Sequence, residues 1–80
     1  MPRLKMSSME QANRRLLEAV KGASAFYDIT SDEQASIAGV SRATWYRRLQ
    51  HPGEFTLNEL RRMARQYHWD DKVLSSILRV

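Results

Sequence analysis

Six arginines dominate the charge of residues 42–65 in this 80-residue chain, where only Glu54 and Glu59 oppose them. The guanidinium group is a rigid fork of N–H donors that fits phosphate oxygens and the O6 and N7 atoms of guanine. The whole chain has 13 Lys and Arg against 9 Asp and Glu, a formal net charge of +4, which favours polyanionic partners. The six residues are Arg42, Arg47, Arg48, Arg61, Arg62 and Arg65.

Side chains that carry catalysis or hold metals are absent or scattered. Cysteine is absent, so the chain has no disulfide framework, no thiolate zinc site and no thiol nucleophile. The only histidines, His51 and His68, lie far apart without clustered carboxylates, which argues against a metal site. The serines form no nucleophile elbow, and there is no glycine-rich phosphate loop. We expect no catalytic residue, cofactor, metal or small-molecule ligand.

Two short helices position the first three of these arginines. Ser41 is a good N-cap for a helix over Arg42–Gln50. Before it, either Ser31 or Thr30 fits the start of a capping box, and Gly39 can take the left-handed conformation that a tight helix exit needs. The sequence therefore predicts a helix-turn-helix with a turn of about three residues.

The second of these helices has one buried face and one face with suitable chemistry for a DNA major groove. Trp45 and Leu49, one helical turn apart, define the buried face. On the other face, arginine can fork onto guanine, glutamine can pair with adenine, an alanine methyl can touch thymine, and tyrosine can stack or bond a phosphate. These outward residues are Arg42, Ala43, Tyr46, Arg47 and Gln50.

Residues Ser31–Gln50 resemble the helix-turn-helix of the lambda-repressor-like family, which includes phage Cro proteins and repressors. Ala35, Gly39 and Val40 stand where the family pattern places them, and Trp45 fills a site usually taken by Ile or Val. The resemblance covers residues from about 8 to 67, including the loop into the fourth helix.

Two residues depart from the family pattern, because Gln34 and Arg48 stand at sites that are usually apolar. The resemblance implies base reading by Arg42, Ala43, Tyr46 and Arg47, and phosphate contacts from the start of each motif helix. With the flanking hydroxyls and arginines, the candidate phosphate contacts are Ser31, Ser41, Thr44, Arg48, Arg61 and Arg62.

The segments outside the motif supply the remaining core. An apolar stripe predicts a first helix over Met9–Ala23 that ends near Gly22, and Ala25–Thr30 is expected to be an extended linker whose Phe26 and Ile29 enter the core. A second capping box begins the fourth helix, with arginines outside and a buried stripe inside. That stripe is predicted to be Leu57, Leu60, Met63, Ala64 and Tyr67.

These patterns predict an all-α, compact bundle of about five short helices. Residues 1–7 are expected to be a flexible segment, and residues 8–80 a single domain with the motif at 31–50 and a C-terminal helix at 70–80. Asp70 or Asp71 caps that last helix. Its apolar side chains either close the core or face a second copy of the chain, and the candidates for the dimer contact are Val73, Ile77 and Val80.

The expected function is sequence-specific binding of double-stranded DNA by a phage- or bacterial-type transcriptional regulator, a homodimer on a palindromic operator. The alternative is a helix-turn-helix scaffold used as a protein-interaction or inhibitor module. No stretch approaches the ~20 apolar residues of a membrane span, so we expect a cytoplasmic, non-enzymatic protein of a bacterial or phage-infected cell, associated with the nucleoid when bound.

Overall fold

The computed structural model describes residues 8–78, which form five α-helices and one 3₁₀ turn. No strand occurs within that range. The all-α class, the number of helices and the compact bundle are thus confirmed. The elements are α1 (Ser8–Tyr27), α2 (Ser31–Ala38), α3 (Arg42–Gln50), the 3₁₀ turn (Pro52–Glu54), α4 (Leu57–Tyr67) and α5 (Asp71–Leu78). The segment 1–7, predicted to be flexible, and Val80 lie outside the described residues.

The first helix is longer than the sequence indicated, because it continues past Gly22 to Tyr27. The prediction that Gly22 ends it is wrong. The helix ends instead where Asp28 takes a left-handed conformation at φ 53°, and the Ile29 N–H then bonds the Ser24 carbonyl at 3.1 Å. This pairing satisfies one of the last free carbonyls of the helix.

The predicted extended linker is therefore wrong for residues 25–27, which are helical. Phe26 is 81% exposed and does not enter the core. Ile29 does pack against the core as predicted and is partly buried. The extra turns of α1 carry Phe26 and Tyr27 to the surface, where their rings meet edge to face at 4.9 Å.

Side-chain caps fix the starts of the other helices. Thr30, not Ser31, is the N-cap of α2: its hydroxyl accepts from the Glu33 N–H at 3.2 Å, and Glu33 accepts in return from the Thr30 N–H at 3.1 Å. The carboxylate of Asp70, rather than Asp71, accepts from the Val73 N–H at 2.9 Å at the start of α5. Each cap pairs a backbone donor that the helix itself leaves free.

Gly39 makes the turn of the motif with φ +80°. Val40 donates from its N–H to the Ala35 carbonyl at 3.0 Å, which closes the end of α2. A side chain at Gly39 would meet the guanidinium of Arg62, which donates to the Ala38 carbonyl at 3.3 Å. The turn therefore needs glycine both for its backbone conformation and for the close approach of α4.

The core lies beneath α3, between α1, α2 and α4. Trp45 is fully buried, as predicted, and meets Phe55 edge to face at 5.6 Å. Met63 is also fully buried, and Leu49 packs partly against the core. Leu57 was expected in the buried stripe of α4, but it is 50% exposed, because at 3.6 residues per turn it lies to one side of the arc formed by Leu60, Met63 and Tyr67.

The last helix packs on α1 and completes this core. Ile77 is buried and Val73 packs partly against the same cluster, while Arg15 of α1 donates to the Ser76 carbonyl at 2.6 Å. Ile77 is therefore a core residue of the single chain and is not open to a second copy, which corrects its assignment to a dimer contact. None of the described helices has the length and apolar character needed to cross a lipid bilayer.

Candidate nucleic-acid interface

The surface of α3 brings the predicted base-reading side chains together on one exposed face. Positions 42, 43, 46, 47 and 50 lie on one side of a helix with 3.6 residues per turn. Trp45 is buried on the opposite flank, so the core fixes the rotation of α3. The five exposed residues are Arg42, Ala43, Tyr46, Arg47 and Gln50.

Arg42, at the start of this face, contacts both a carboxylate and an aromatic ring. Its Nε lies 3.3 Å from Oδ1 of Asp32 in α2, and its guanidinium carbon lies 5.9 Å from the ring centre of Tyr46. The side chains of Arg42 and Asp32 are 70% and 62% exposed. A pair this open to solvent holds its partners weakly, so Arg42 can turn to another acceptor.

Arg47, one turn further along, pairs with the 3₁₀ turn that follows α3. Its Nε donates to Oε1 of Glu54 at 3.2 Å. The same oxygen lies 3.7 Å from Nη1 of Arg48. Glu54 therefore contacts two consecutive arginines, one exposed and one largely covered.

Arg48 is engaged with the start of α4. Its Nε and Nη2 donate to the two carboxylate oxygens of Glu59 at 2.9 and 3.2 Å, and the two side chains are only 18% and 8% exposed. Glu59 is also the capping-box partner of Thr56. Arg48 thus links α3 to α4 within the fold, and the phosphate contact expected of it stays a prediction.

At Glu59, burial and hydrogen bonding shift the pKa of the carboxyl in opposite directions. Burial alone would raise the pKa of its carboxyl, but the hydrogen bonds from Arg48 and from the Thr56 backbone outweigh it and hold the pKa below its ordinary value. The hydrogen bond to Glu59 raises the pKa of Arg48, although desolvation opposes this. Both groups therefore stay charged at neutral pH, as their bidentate geometry requires.

The hydroxyls expected to contact phosphate lie at the starts of the two motif helices. Ser41 accepts from the Thr44 N–H at 3.2 Å and donates to the Thr44 hydroxyl at 2.9 Å. Ser31 is in the first turn of α2 and is partly buried. Free backbone N–H groups at such a helix start attract anions, so the local geometry is compatible with the predicted phosphate contacts.

The outer face of α4 adds a second basic surface. Arg61 and Arg62, both predicted to contact phosphate, are exposed. Arg62 reaches the end of α2 through its hydrogen bond to Ala38, so this basic surface adjoins the turn of the motif. A shallow groove between α2 and α4 is lined by Ile37, Asn58, Arg61, Arg62, Arg65 and Gln66.

Sequence reasoning missed the acidic partners of the arginines. Asp32, Glu54 and Glu59 were not among the predicted site residues, although each contacts an arginine of α3. Only Glu59 had a sequence signal, its place in a capping box, and that signal indicates a helix start rather than an ion pair. Within residues 8–78, no three His, Cys, Asp or Glu side chains are grouped to hold a metal ion.

Comparison with known proteins adds one match. A protein-family model described as the antitoxin Xre-like helix-turn-helix domain matches residues 10–65. No curated protein and no solved structure matches the chain. The matched segment includes the whole of α2, the turn after it and the whole of α3.

Proposed function

The chain belongs to the antitoxin Xre-like helix-turn-helix family, and from that premise we propose that it is a transcriptional regulator that reads a specific DNA sequence with α3. The family is lambda-repressor-like, which confirms the resemblance of residues 31–50, and a domain of this kind implies a DNA-binding regulator. Such regulators are typically not enzymes, and we propose no catalytic activity for this one.

The exposed face of α3 is the single observation that carries this proposal. In this proposal Arg42 and Arg47 fork onto guanines, Gln50 pairs with adenine, and Ala43 touches a thymine methyl. Tyr46 stands between the two arginines and is suited to a base or a phosphate. The fully buried Trp45 supports all of them, because a reading helix needs a fixed rotation to keep its register on the bases.

Phosphate contacts would hold this helix in its groove. We assign them to the starts of α2 and α3 and to the basic face of α4, with Arg48 as a further candidate. The phosphate set is Ser31, Ser41, Thr44, Arg48, Arg61 and Arg62.

One reading helix covers a short site. With nine residues, α3 is about 13 Å long and spans about four base pairs. We therefore propose a homodimer whose two α3 helices meet half-sites about 34 Å apart, on a palindromic operator of bacterial or phage type. Val73 and Val80 stay candidates for the dimer contact, and the proposed location is the cytoplasm, on the nucleoid when bound.

Selection of bound duplexes from a random pool tests the proposal, with light scattering of the recovered complex. The expected product is a short inverted repeat bound by two chains. A selected pool without any sequence preference would contradict specific reading. Recovery of a single half-site bound by one chain would contradict the dimer but not the reading helix.

A protein-interaction module is the second candidate, because the matched family is described as that of an antitoxin and the end of α1 exposes aromatic rings. Phe26 and Tyr27 lie beside Trp69 and Val73 around a shallow apolar depression. Exposed apolar patches of this kind often mark contacts with other proteins.

A titration at about 50–200 mM salt separates the two candidate functions, because DNA affinity should fall steeply over that range. Absence of duplex affinity at the lowest salt favours the protein-interaction role.

A further inference from the structure

We infer that Glu54 is a positioning residue that sets the orientation of the base-reading Arg47, and that Asp32 beside Arg42 has no such role. The inference rests on the DNA-reading function proposed above. It concerns two carboxylates that each contact an arginine of α3 but differ in what holds them in place.

The carboxylate of Glu54 contacts one member of a largely covered ion pair, Arg48–Glu59. Arg48 is fixed by its two hydrogen bonds to Glu59, and its remaining terminal nitrogen, Nη1, lies 3.7 Å from Oε1 of Glu54. Removing Arg48 from this position would leave the buried carboxylate of Glu59 without its cation, which is costly. Glu54 therefore faces a cation whose position the fold determines.

The geometry of the Arg47 contact leaves that residue able to read a base. Arg47 uses Nε to donate to Oε1 of Glu54, so its terminal nitrogens Nη1 and Nη2 remain for the O6 and N7 atoms of guanine. Glu54 need not move when the base is bound. It instead restricts a long, flexible side chain before binding, which lowers the entropy lost when the fork forms.

Asp32 lacks this support. Its Oδ1 lies 3.3 Å from Nε of Arg42, but no second cation contacts it among the described residues, and both side chains are well exposed. Arg42 also lies over the Tyr46 ring, which restricts it whether or not Asp32 is charged. Asp32 should therefore affect DNA binding only through its negative charge.

This difference makes Asp32→Asn a charge-matched control for Glu54→Gln. Each substitution removes one negative charge near α3, so both should raise affinity for a random-sequence duplex by a similar factor. Only E54Q should relax base preference, by about twofold to fivefold, the range that one solvent-exposed ion pair supports. The relaxed position should be the one that Arg47→Ala also relaxes.

The measurement is duplex selection followed by affinities for single-base variants of the selected site, with wild type, E54Q, D32N, R47A and the double variant E54Q/R47A. The double variant should discriminate no worse than R47A alone, because Glu54 acts through Arg47. The melting temperatures of E54Q and D32N should equal that of the wild type, since exposed ion pairs contribute little to stability.

Unchanged base preference in E54Q, or equal relaxation in E54Q and D32N, would overturn the positioning role. Additive losses in the double variant would overturn it as well. These results are distinct from failure of the proposed function, in which the wild-type chain itself would select no sequence.

Discussion

Arg42 and Arg61 are both exposed arginines, but they belong to different parts of the proposed interface. Arg42 is on the face of α3 that we propose reads bases, and Arg61 is on the outer face of α4 beside the motif. An arginine that forks onto a base contributes to discrimination, whereas one that contacts phosphate contributes to binding of every sequence.

We therefore predict different consequences for Arg42→Ala and Arg61→Ala. The first should lower affinity for the selected site by about 1–3 kcal/mol and relax preference at one base position. The second should weaken binding to all duplexes about equally and reduce the slope of log affinity against log salt concentration by about one. Titrations of selected and random duplexes at several salt concentrations measure both effects. Identical behaviour of the two variants would contradict the division of roles.

At the same scale, the sequence predicted which side chains of α3 face outward but not what they contact. The spacing of Trp45 and Leu49 was enough to identify the exposed face. The ion pairs of Arg42 and Arg47 were not predictable, because Asp32 is in the preceding helix and Glu54 is in the turn after α3. Their distances depend on the tilt of α3 against its neighbours, which a linear pattern does not specify.

At the scale of helices and turns, starts were easier to predict than ends. A hydroxyl followed three residues later by a glutamate defines a capping box by local chemistry alone, as at Thr30 and Thr56. The end of α1 had no comparable signal. Gly22 favours a helix end only weakly, and Asp28 adopts a left-handed conformation that aspartate tolerates but does not require.

Two glycines provide a matched prediction. Gly39→Ala should lower the free energy of unfolding by about 1–3 kcal/mol, because residue 39 has φ +80° and Arg62 occupies the space beside it. Gly22→Ala should raise it by about 0.5–1 kcal/mol, since Gly22 is helical and has open space around its Cα. Chemical denaturation of both variants measures these changes. Equal effects of the same sign would contradict the helical role of Gly22 or the turn at Gly39.

The start of α4 gives a prediction in pH. Because the folded-state pKa of Glu59 lies below its ordinary value, its ion pair stabilises the fold above the ordinary glutamate pKa of about 4.3. That stabilisation is lost as the pH falls from there through the lowered value. Glu59→Gln should remove this part of the acid dependence and destabilise the protein at neutral pH.

Glu33→Gln is the control for that measurement, since Glu33 holds the same capping-box position in α2 but is exposed. Denaturation curves between about pH 2.5 and pH 7, spanning the ordinary glutamate pKa, should show a larger loss for Glu59→Gln than for Glu33→Gln at the upper end. The difference should shrink at the lower end. A constant difference across the range would contradict the contribution of the charged carboxylate of Glu59.

At the scale of the whole molecule, α1 and α5 pack against each other and contribute Leu16, Val20, Ala23 and Ile77 to the core. The sequence left two roles open for the C-terminal helix, because an apolar face fits either a core or a second chain. Burial of Ile77 settles the role of that residue within one chain. The dimer contact depends on an arrangement of two chains, which the pattern of one chain does not specify.

Ile77→Ala should accordingly reduce the free energy of unfolding by about 2–5 kcal/mol, the usual loss for a buried aliphatic side chain. Leu78→Ala should reduce the free energy of unfolding much less, since the neighbouring residue Leu78 is 51% exposed. Thermal unfolding at several protein concentrations measures both. A loss for I77A that disappears at high dilution, where chains separate, would indicate an intermolecular role instead.

The complete burial of Trp45 beneath α3 also gives the molecule an internal optical reporter. The chain has two tryptophans, and the other, Trp69, is partly buried near the Tyr67 ring at 5.5 Å. Replacing Trp69 with phenylalanine would leave one indole, whose emission reports whether the support of the reading helix is intact. Fluorescence could then follow the loosening of α3 separately from that of the C-terminal helix, without any attached dye.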